Sequence, residues 1–301
     1  MNFKAFEEFC KQNEIKYKIN EPMCEHTSFK IGGPADFFVT VKSETELQNT
    51  IVKLCELSIP FFVVGKGSNL LVSDKGIDGV VISLSIMDDI TVEDNIISAG
   101  AGASLAAVCV VAVNNSLSGL EFAYGIPASV GGALYMNAGA YGGEMKDVVL
   151  KARYVTHKGE VGEINAEDMA LGYRKSIFKQ SNKIITRVYF KLNNGVEAEI
   201  RARMDDFMCR RKTKQPLEYP SAGSTFKRPE GYFAGALIEQ NNLKGVSIGG
   251  AMVSEKHAGF VINYKNATCE DVKKLMEHIR ETVLKAESVE LQPEVIFVGR
   301  D

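Results

Sequence analysis

Between residues 125 and 143 the sequence places six glycines among nineteen positions, interleaved with Ile126, Val130, Leu134, Tyr135 and Met136. Glycine at that density suits a flexible linker, but linkers are polar, and these five apolar side chains gain stability only by being buried. The stretch is therefore expected to be ordered, with its glycines where backbone must come close to another surface. Any fold for this chain has to be built around that segment. At 301 residues and 45% apolar composition the chain exceeds what one hydrophobic core organises well, so two or three compact units are expected.

Thirty-five lysines and arginines against 38 acids leave a net charge of −3, which gives no global attraction for nucleic acid or an anionic membrane. An anionic ligand has to be gripped locally. The first thirteen residues alternate charge with Phe3, Phe6 and Phe9 and read as an amphipathic helix rather than a secretion signal. Even the apolar run 105–113 is half the length of a membrane span, so a soluble, cytoplasmic protein is expected. Six scattered cysteines without a C-x-x-C pair, and four dispersed histidines, signal neither a disulfide framework nor a metal site.

After the first helix, a strand near residue 37 leads to a helix opened by a Ser43/Glu46 capping box, with Leu47, Ile51, Leu54 and Leu57 at helical spacing. A buried strand, 61–64, then ends in Gly65-Lys66-Gly67-Ser68-Asn69, completing a β-α-β-like unit. Short β-rich runs fill 70–102, and a helix over 104–115, apolar on nearly all sides, is expected to be sandwiched. Strands at 152–156 and 184–192 flank a short helix capped by Asn165. Helices at 197–211 and 271–287, the latter capped by Thr268 and Asp271, precede a last strand at 294–298.

Two places imitate the dinucleotide fingerprint G-x-G-x-x-G, and both lack its third glycine: Leu70 follows Gly65 and Gly67, and Leu105 follows Gly100 and Gly102. A P-loop spacing is also missing. What Gly65 to Asn69 offers is successive backbone N–H groups with a hydroxyl and an amide, a cradle for phosphate oxygens or else a plain turn. The stretch Gly125-Ile126-Pro127-Ala128-Ser129-Val130-Gly131-Gly132 lets backbone approach a flat or charged ligand. Two such cradles suit a long diphosphate cofactor.

Five fragments carry a specific resemblance: VGKGSNLL at 64–71, GIPASVGGALYMNAGAYGG at 125–143, GYRKSIF at 172–178, AGSTFKRP at 222–229 and PEVIF at 293–297. In this order, over essentially the whole chain, they resemble the UDP-N-acetylenolpyruvoylglucosamine reductases. The resemblance implies an α+β fold: an FAD-binding unit of the vanillyl-alcohol-oxidase type in two subdomains, 1–70 and 71–200, then a substrate-binding domain, 201–301. It implies that FAD is lined by Gly65, Lys66, Gly67, Ser68, Asn69 and Leu70, and by Gly125, Ile126, Pro127, Ala128, Ser129, Gly131, Gly132, Asn137, Ala138 and Gly139. NADPH is the implied reductant and UDP-N-acetylglucosamine enolpyruvate the implied substrate, in peptidoglycan precursor synthesis. A monomer is compatible with everything in the sequence.

In such a reaction hydride reaches the methylene carbon of the enol ether, and charge builds on the adjacent carbon and its carboxylate. The resemblance makes Arg174 the stabiliser of that charge, a planar guanidinium able to grip a carboxylate through two parallel hydrogen bonds. It makes Ser224 the proton donor and Glu294 the third catalytic residue. Arg228, four residues after Ser224, is the expected diphosphate anchor, with Lys212 retained from the basic run 210–214, whose other cations are accounted for as helix-end charges. Tyr173 and His257 complete the expected substrate contacts. Only 50 residues separate Arg174 from Ser224, so the chain resembles the short branch of the family that lacks a tyrosine lid. The rival readings are another FAD oxidase of the same fold and a flavin-binding module without catalysis.

Overall fold

The computed structural model describes residues 1–300, which divide into two compact units. The first comprises residues 1–19, 37–66 and 79–211; the second comprises 20–36, 67–78 and 212 onward. Each has a core drawn from its own segments. Phe6, Phe37, Leu47, Ile82, Ile97, Leu105, Leu134 and Phe190 are among the fully buried side chains of the first core, and Phe29, Leu71, Leu275 and Ile279 among those of the second.

In the first unit, α1 (Phe3–Gln12) buries Phe6 and Cys10 as its charge alternation requires, and Asn2 caps it. Helix α2 (Glu44–Glu56) starts at Ser43, whose hydroxyl accepts the Glu46 N–H at 3.1 Å. The expected return bond is displaced: Glu46 accepts from Lys42 N–H at 2.6 Å instead of from Ser43. The strand Phe61–Val64 pairs in parallel with Val80–Ser83, as one sheet of this unit. A second sheet is antiparallel throughout, in the order Val161–Asn165, Val149–Thr156, Lys183–Lys191, Ile96–Gly100, Ile90–Glu93. Its edge strand Val161–Asn165 replaces part of what reads as loop, and Asn165 then opens only a short 3-10 turn, Ala166–Met169.

Helix α3 (Leu105–Asn114) is not sandwiched. Leu105, Val108, Cys109, Ala112 and Val113 are buried while Ala107 and Val110 are exposed, which is one helical stripe. The outer face is apolar too, so composition hid the periodicity. Helix α4 (Val130–Tyr135) follows, and α5 (Glu197–Lys214) runs three residues beyond its expected end.

In the second unit, α6 (Ala234–Gln240) and a three-stranded antiparallel sheet, Ser247–Ile248, Ala251–Val253 and Val261–Asn263, occupy a region the sequence left unassigned. Helix α7 (Cys269–Glu287) has the expected capping box between Thr268 and Asp271 and buries Val272, Leu275, Met276, Ile279 and Val283. Burying each of these contributes on the order of 1.5–3 kcal/mol. The strand Leu70–Val72 pairs in parallel with Ile296–Val298. Among the described residues no helix is long and apolar enough to cross a membrane.

Candidate active site

In the first unit, the glycine-rich stretch folds back onto residues 101–105. Leu105 N–H donates to Ala128 O at 3.0 Å, Val130 N–H to Ala103 O at 2.9 Å and Gly131 N–H to Ala101 O at 2.9 Å. A Cβ on Gly65 would fall on the Ser129 hydroxyl, and one on Gly131 would stand 2.9 Å from Ala101 Cβ. Neither position accepts a side chain. Buried Ser129 caps α4 by accepting the Gly132 N–H, and Gly132 and Pro127 are exposed. The ammonium of exposed Lys66 donates to Ser104 Oγ at 2.8 Å. Close-packed backbone bearing a cation and two hydroxyls fits a diphosphate-containing cofactor, since those groups neutralise and hydrogen-bond phosphate oxygens without filling the space.

One cation here escaped the sequence reading. The helix-end explanation of the run 210–214, from which Lys212 is excepted, holds for Arg210, which pairs with Asp206 one turn back at 2.7 Å. Exposed Lys212 contributes its carbonyl, which accepts the Lys256 ammonium at 2.8 Å. Arg211 instead turns inward, its stem so close to Gly125 that a Cβ there would lie 2.9 Å from Arg211 Cδ. Burial pushes its pKa down, with only Tyr141 opposing. Among the described residues, no hydrogen bond or ion pair reaches its guanidinium. The signal was present in the helical period: Arg211 continues the stripe of Ile200 and Met204.

Tyr173 and Arg174 form the tip of a tight turn whose ends, Gly172 and Lys175, exchange two backbone hydrogen bonds at 3.0 Å each. Arg174 holds a φ of +52°, and its guanidinium lies 5.0 Å from the ring centroid of largely exposed Tyr173. Asn137 is fully buried, whereas Ala138 and Gly139 are half-buried.

In the second unit, Gly67 takes a φ of +59° with its open side against the His26 carbonyl, where a side chain has no room. Asn69 Nδ2 donates to Glu294 O at 3.1 Å, and Ile296 N–H to Asn69 O at 2.9 Å. Glu294 N–H in turn donates to Thr225 O at 2.9 Å, and Phe226 bridges to Pro293. Ser68 to Leu70, Ser224 to Phe226 and Glu294 thus run side by side. Buried Thr225 is consumed by structure, its hydroxyl accepting Val261 N–H at 2.8 Å, while Ser224 beside it is exposed. Arg228 lays its guanidinium 3.8 Å from the ring centroid of largely exposed Phe233. His257 is occupied locally: Nδ1 accepts the Gly259 N–H at 3.0 Å, and burial pushes its pKa down.

Residues 35–165 match a family of FAD binding domains, and residues 215–298 match the C-terminal domain of UDP-N-acetylenolpyruvoylglucosamine reductase. A UDP-N-acetylenolpyruvoylglucosamine reductase of Clostridium perfringens strain SM101 is 48% identical over 300 residues, 99% of this chain and 98% of its own. That of Caldanaerobacter subterraneus is 52% identical over 286 residues, 95% of each chain. The crystal structure of the Thermus caldophilus enzyme superposes with a TM-score of 0.81 at 34% identity, covering 94% of this chain and 98% of that one. The fold is accordingly α+β with an FAD-binding part of the vanillyl-alcohol-oxidase type, and the chain belongs to the UDP-N-acetylenolpyruvoylglucosamine reductase family.

Proposed function

We propose that this protein reduces UDP-N-acetylglucosamine enolpyruvate to UDP-N-acetylmuramate, with NADPH as the reductant, in peptidoglycan precursor synthesis. Bound FAD supplies the hydride that reaches the enolpyruvyl methylene carbon. In this reading Gly65, Lys66, Ser104 and Ser129 hold the cofactor's diphosphate, and Arg211 adds a positive charge beside Gly125. Residues 1–70 and 71–200 act as the two FAD-binding subdomains, and 201–301 bind the nucleotide sugar.

Arg174 binds the substrate carboxylate and holds the negative charge that develops beside it. Ser224 gives its hydroxyl proton to the carbon adjacent to the methylene; serine is a weak acid, but a carbanion-like centre is basic enough to take that proton. Glu294 orients the carboxylate end of the reaction or shares the proton transfer. Arg228, stacked on Phe233, meets the UDP diphosphate. The observation that carries the reading is the division of labour in Ser224-Thr225: Thr225 is tied into the fold, while exposed Ser224 stands one residue from the backbone bond between Glu294 N–H and Thr225 O.

Ser224→Ala is expected to keep FAD and its reduction by NADPH while slowing reoxidation by the enolpyruvyl substrate by roughly 10²-fold, the scale of a positioned general acid. Anaerobic stopped-flow on the flavin absorbance measures both halves. Equal reoxidation rates in variant and parent remove Ser224 from the chemistry, and indifference of the parent to the substrate favours an FAD oxidase or a non-catalytic flavin module.

A further inference from the structure

We propose that Asn137 is the positioning residue of Arg174: its carboxamide pins the turn that presents the guanidinium, and the inference rests on the role given to Arg174 above. The sequence had placed Asn137 among the cofactor contacts. Its side chain has no surface to offer a ligand, because it is fully buried and its hydrogen bonds run inside the unit. Nδ2 donates to Glu144 Oε2 at 2.6 Å and to Gly172 O at 2.9 Å, while Oδ1 accepts the Lys146 N–H at 2.9 Å.

These partners fix which way the amide points. Reversed, its oxygen would face a carboxylate and a carbonyl, two acceptors with nothing to donate. The Glu144 carboxylate is itself held by the Lys146 ammonium at 2.5 Å, so the acceptor opposite Asn137 does not wander. Asn137 also sits at a φ of +43°, just past the end of α4, in the left-handed region that asparagine tolerates better than most residues.

Gly172, the carbonyl at the other end of this bond, opens the tight turn to Lys175. Within the turn Arg174 occupies a left-handed conformation that costs a non-glycine residue energy and persists only where neighbours enforce it. Besides the two Gly172–Lys175 backbone bonds, side-chain bonds do so: Asn137 to Gly172 O, Ser176 Oγ to Tyr135 O at 2.7 Å, and the Lys179 ammonium to Arg174 O at 3.1 Å. Of these, the Asn137 bond and the Ser176 bond join the turn to the two ends of the α4 exit, Tyr135 and Asn137. The backbone that carries Arg174 is therefore tied to the end of the glycine-rich stretch. A displacement of about 1 Å at a reacting group can cost on the order of 10² in rate.

The test is a double-mutant cycle on the flavin-loaded protein. Asn137→Gly removes the amide but keeps the left-handed backbone available, and Arg174→Ala removes the guanidinium. For Asn137→Gly, flavin spectrum, FAD content and rate of reduction by NADPH are expected within about twofold of the parent, with reoxidation by the enolpyruvyl substrate slowed roughly 10- to 100-fold. In the Arg174→Ala background the same change is expected to cost less than about threefold, because the group it positions is gone. Full additivity, or unchanged reoxidation in Asn137→Gly, overturns the inference while leaving Arg174 in place. An unchanged rate in Arg174→Ala alone removes both the role of Arg174 and the inference. Should Asn137→Gly fail to hold FAD, Asn137→Asp, which keeps the side chain's shape and its acceptor for the Lys146 N–H but loses the donor, carries the same cycle.

Discussion

At Gly65 a single hydrogen stands where any side chain would strike the Ser129 hydroxyl. Gly65→Ala is expected to destabilise the protein by about 1–3 kcal/mol through overpacking and to lower the FAD retained on purification. A variant that keeps full flavin and melts with the parent would mean the seam is looser than its distances indicate. Glu121 poses an electrostatic counterpart. Burial alone would raise its pKa, but its own backbone N–H, Arg203 at 2.7 Å, Ser118 at 2.8 Å and the Gly119 N–H at 2.8 Å outweigh that and hold it below the usual carboxylate range. A carboxylate depressed in the folded state gives stability that is whole above its unfolded value and fades as pH falls through the folded one. Glu121→Gln is therefore expected to cost about 1–3 kcal/mol at pH 7 and much less near pH 3, read from urea midpoints at both. An equal deficit at both pH values would show that shape, not charge, matters there. What sequence made legible at this scale was the close approach of backbone inside distinctive glycine runs, as where Gly65 meets Ser129. Arg211 was missed because every cation of the run except Lys212 is explained equally well as a helix-end charge, although Arg211 follows the buried stripe.

Among the elements, α3 shows how composition can mask geometry. Nine of its ten residues are apolar, so a helix with one buried face looks the same as one buried all round. The structure separates them. Val108→Ala is expected to cost about 1–3 kcal/mol, because fully buried atoms leave a cavity, whereas Val110→Lys should stay within about 0.5 kcal/mol of the parent. Chemical denaturation of the two variants decides it, and a severe loss in Val110→Lys would argue that this face is covered. By contrast, α1 and α7 were readable because polar residues interrupt their apolar stripes at helical spacing, and in α7 the Thr268/Asp271 cap marks the start as well. The small sheet at 247–263 went unread because its strands are two or three residues long, too short for alternation to register.

Over the whole molecule, the chain enters and leaves each unit more than once, and no local pattern records that. Phe29, Ile31 and Leu71 belong to the same core as Leu275 and Val283, yet nothing in their neighbourhoods says which of two cores they join. A fragment starting at residue 212 therefore lacks three of its core side chains and the Leu70–Val72 partner of Ile296–Val298. Such a fragment is expected to show no cooperative thermal transition and little amide dispersion by NMR; a sharp transition would make residues 20–36 and 67–78 accessory. The pairing of Leu70–Val72 with Ile296–Val298 also orders events during synthesis. At about 5–20 residues per second, the ribosome delivers the second strand roughly 10–45 seconds after the first. Throughout that interval Leu70–Val72 has an open edge, so capture of this segment by chaperones, or by a neighbouring nascent chain, competes with maturation until elongation is nearly done.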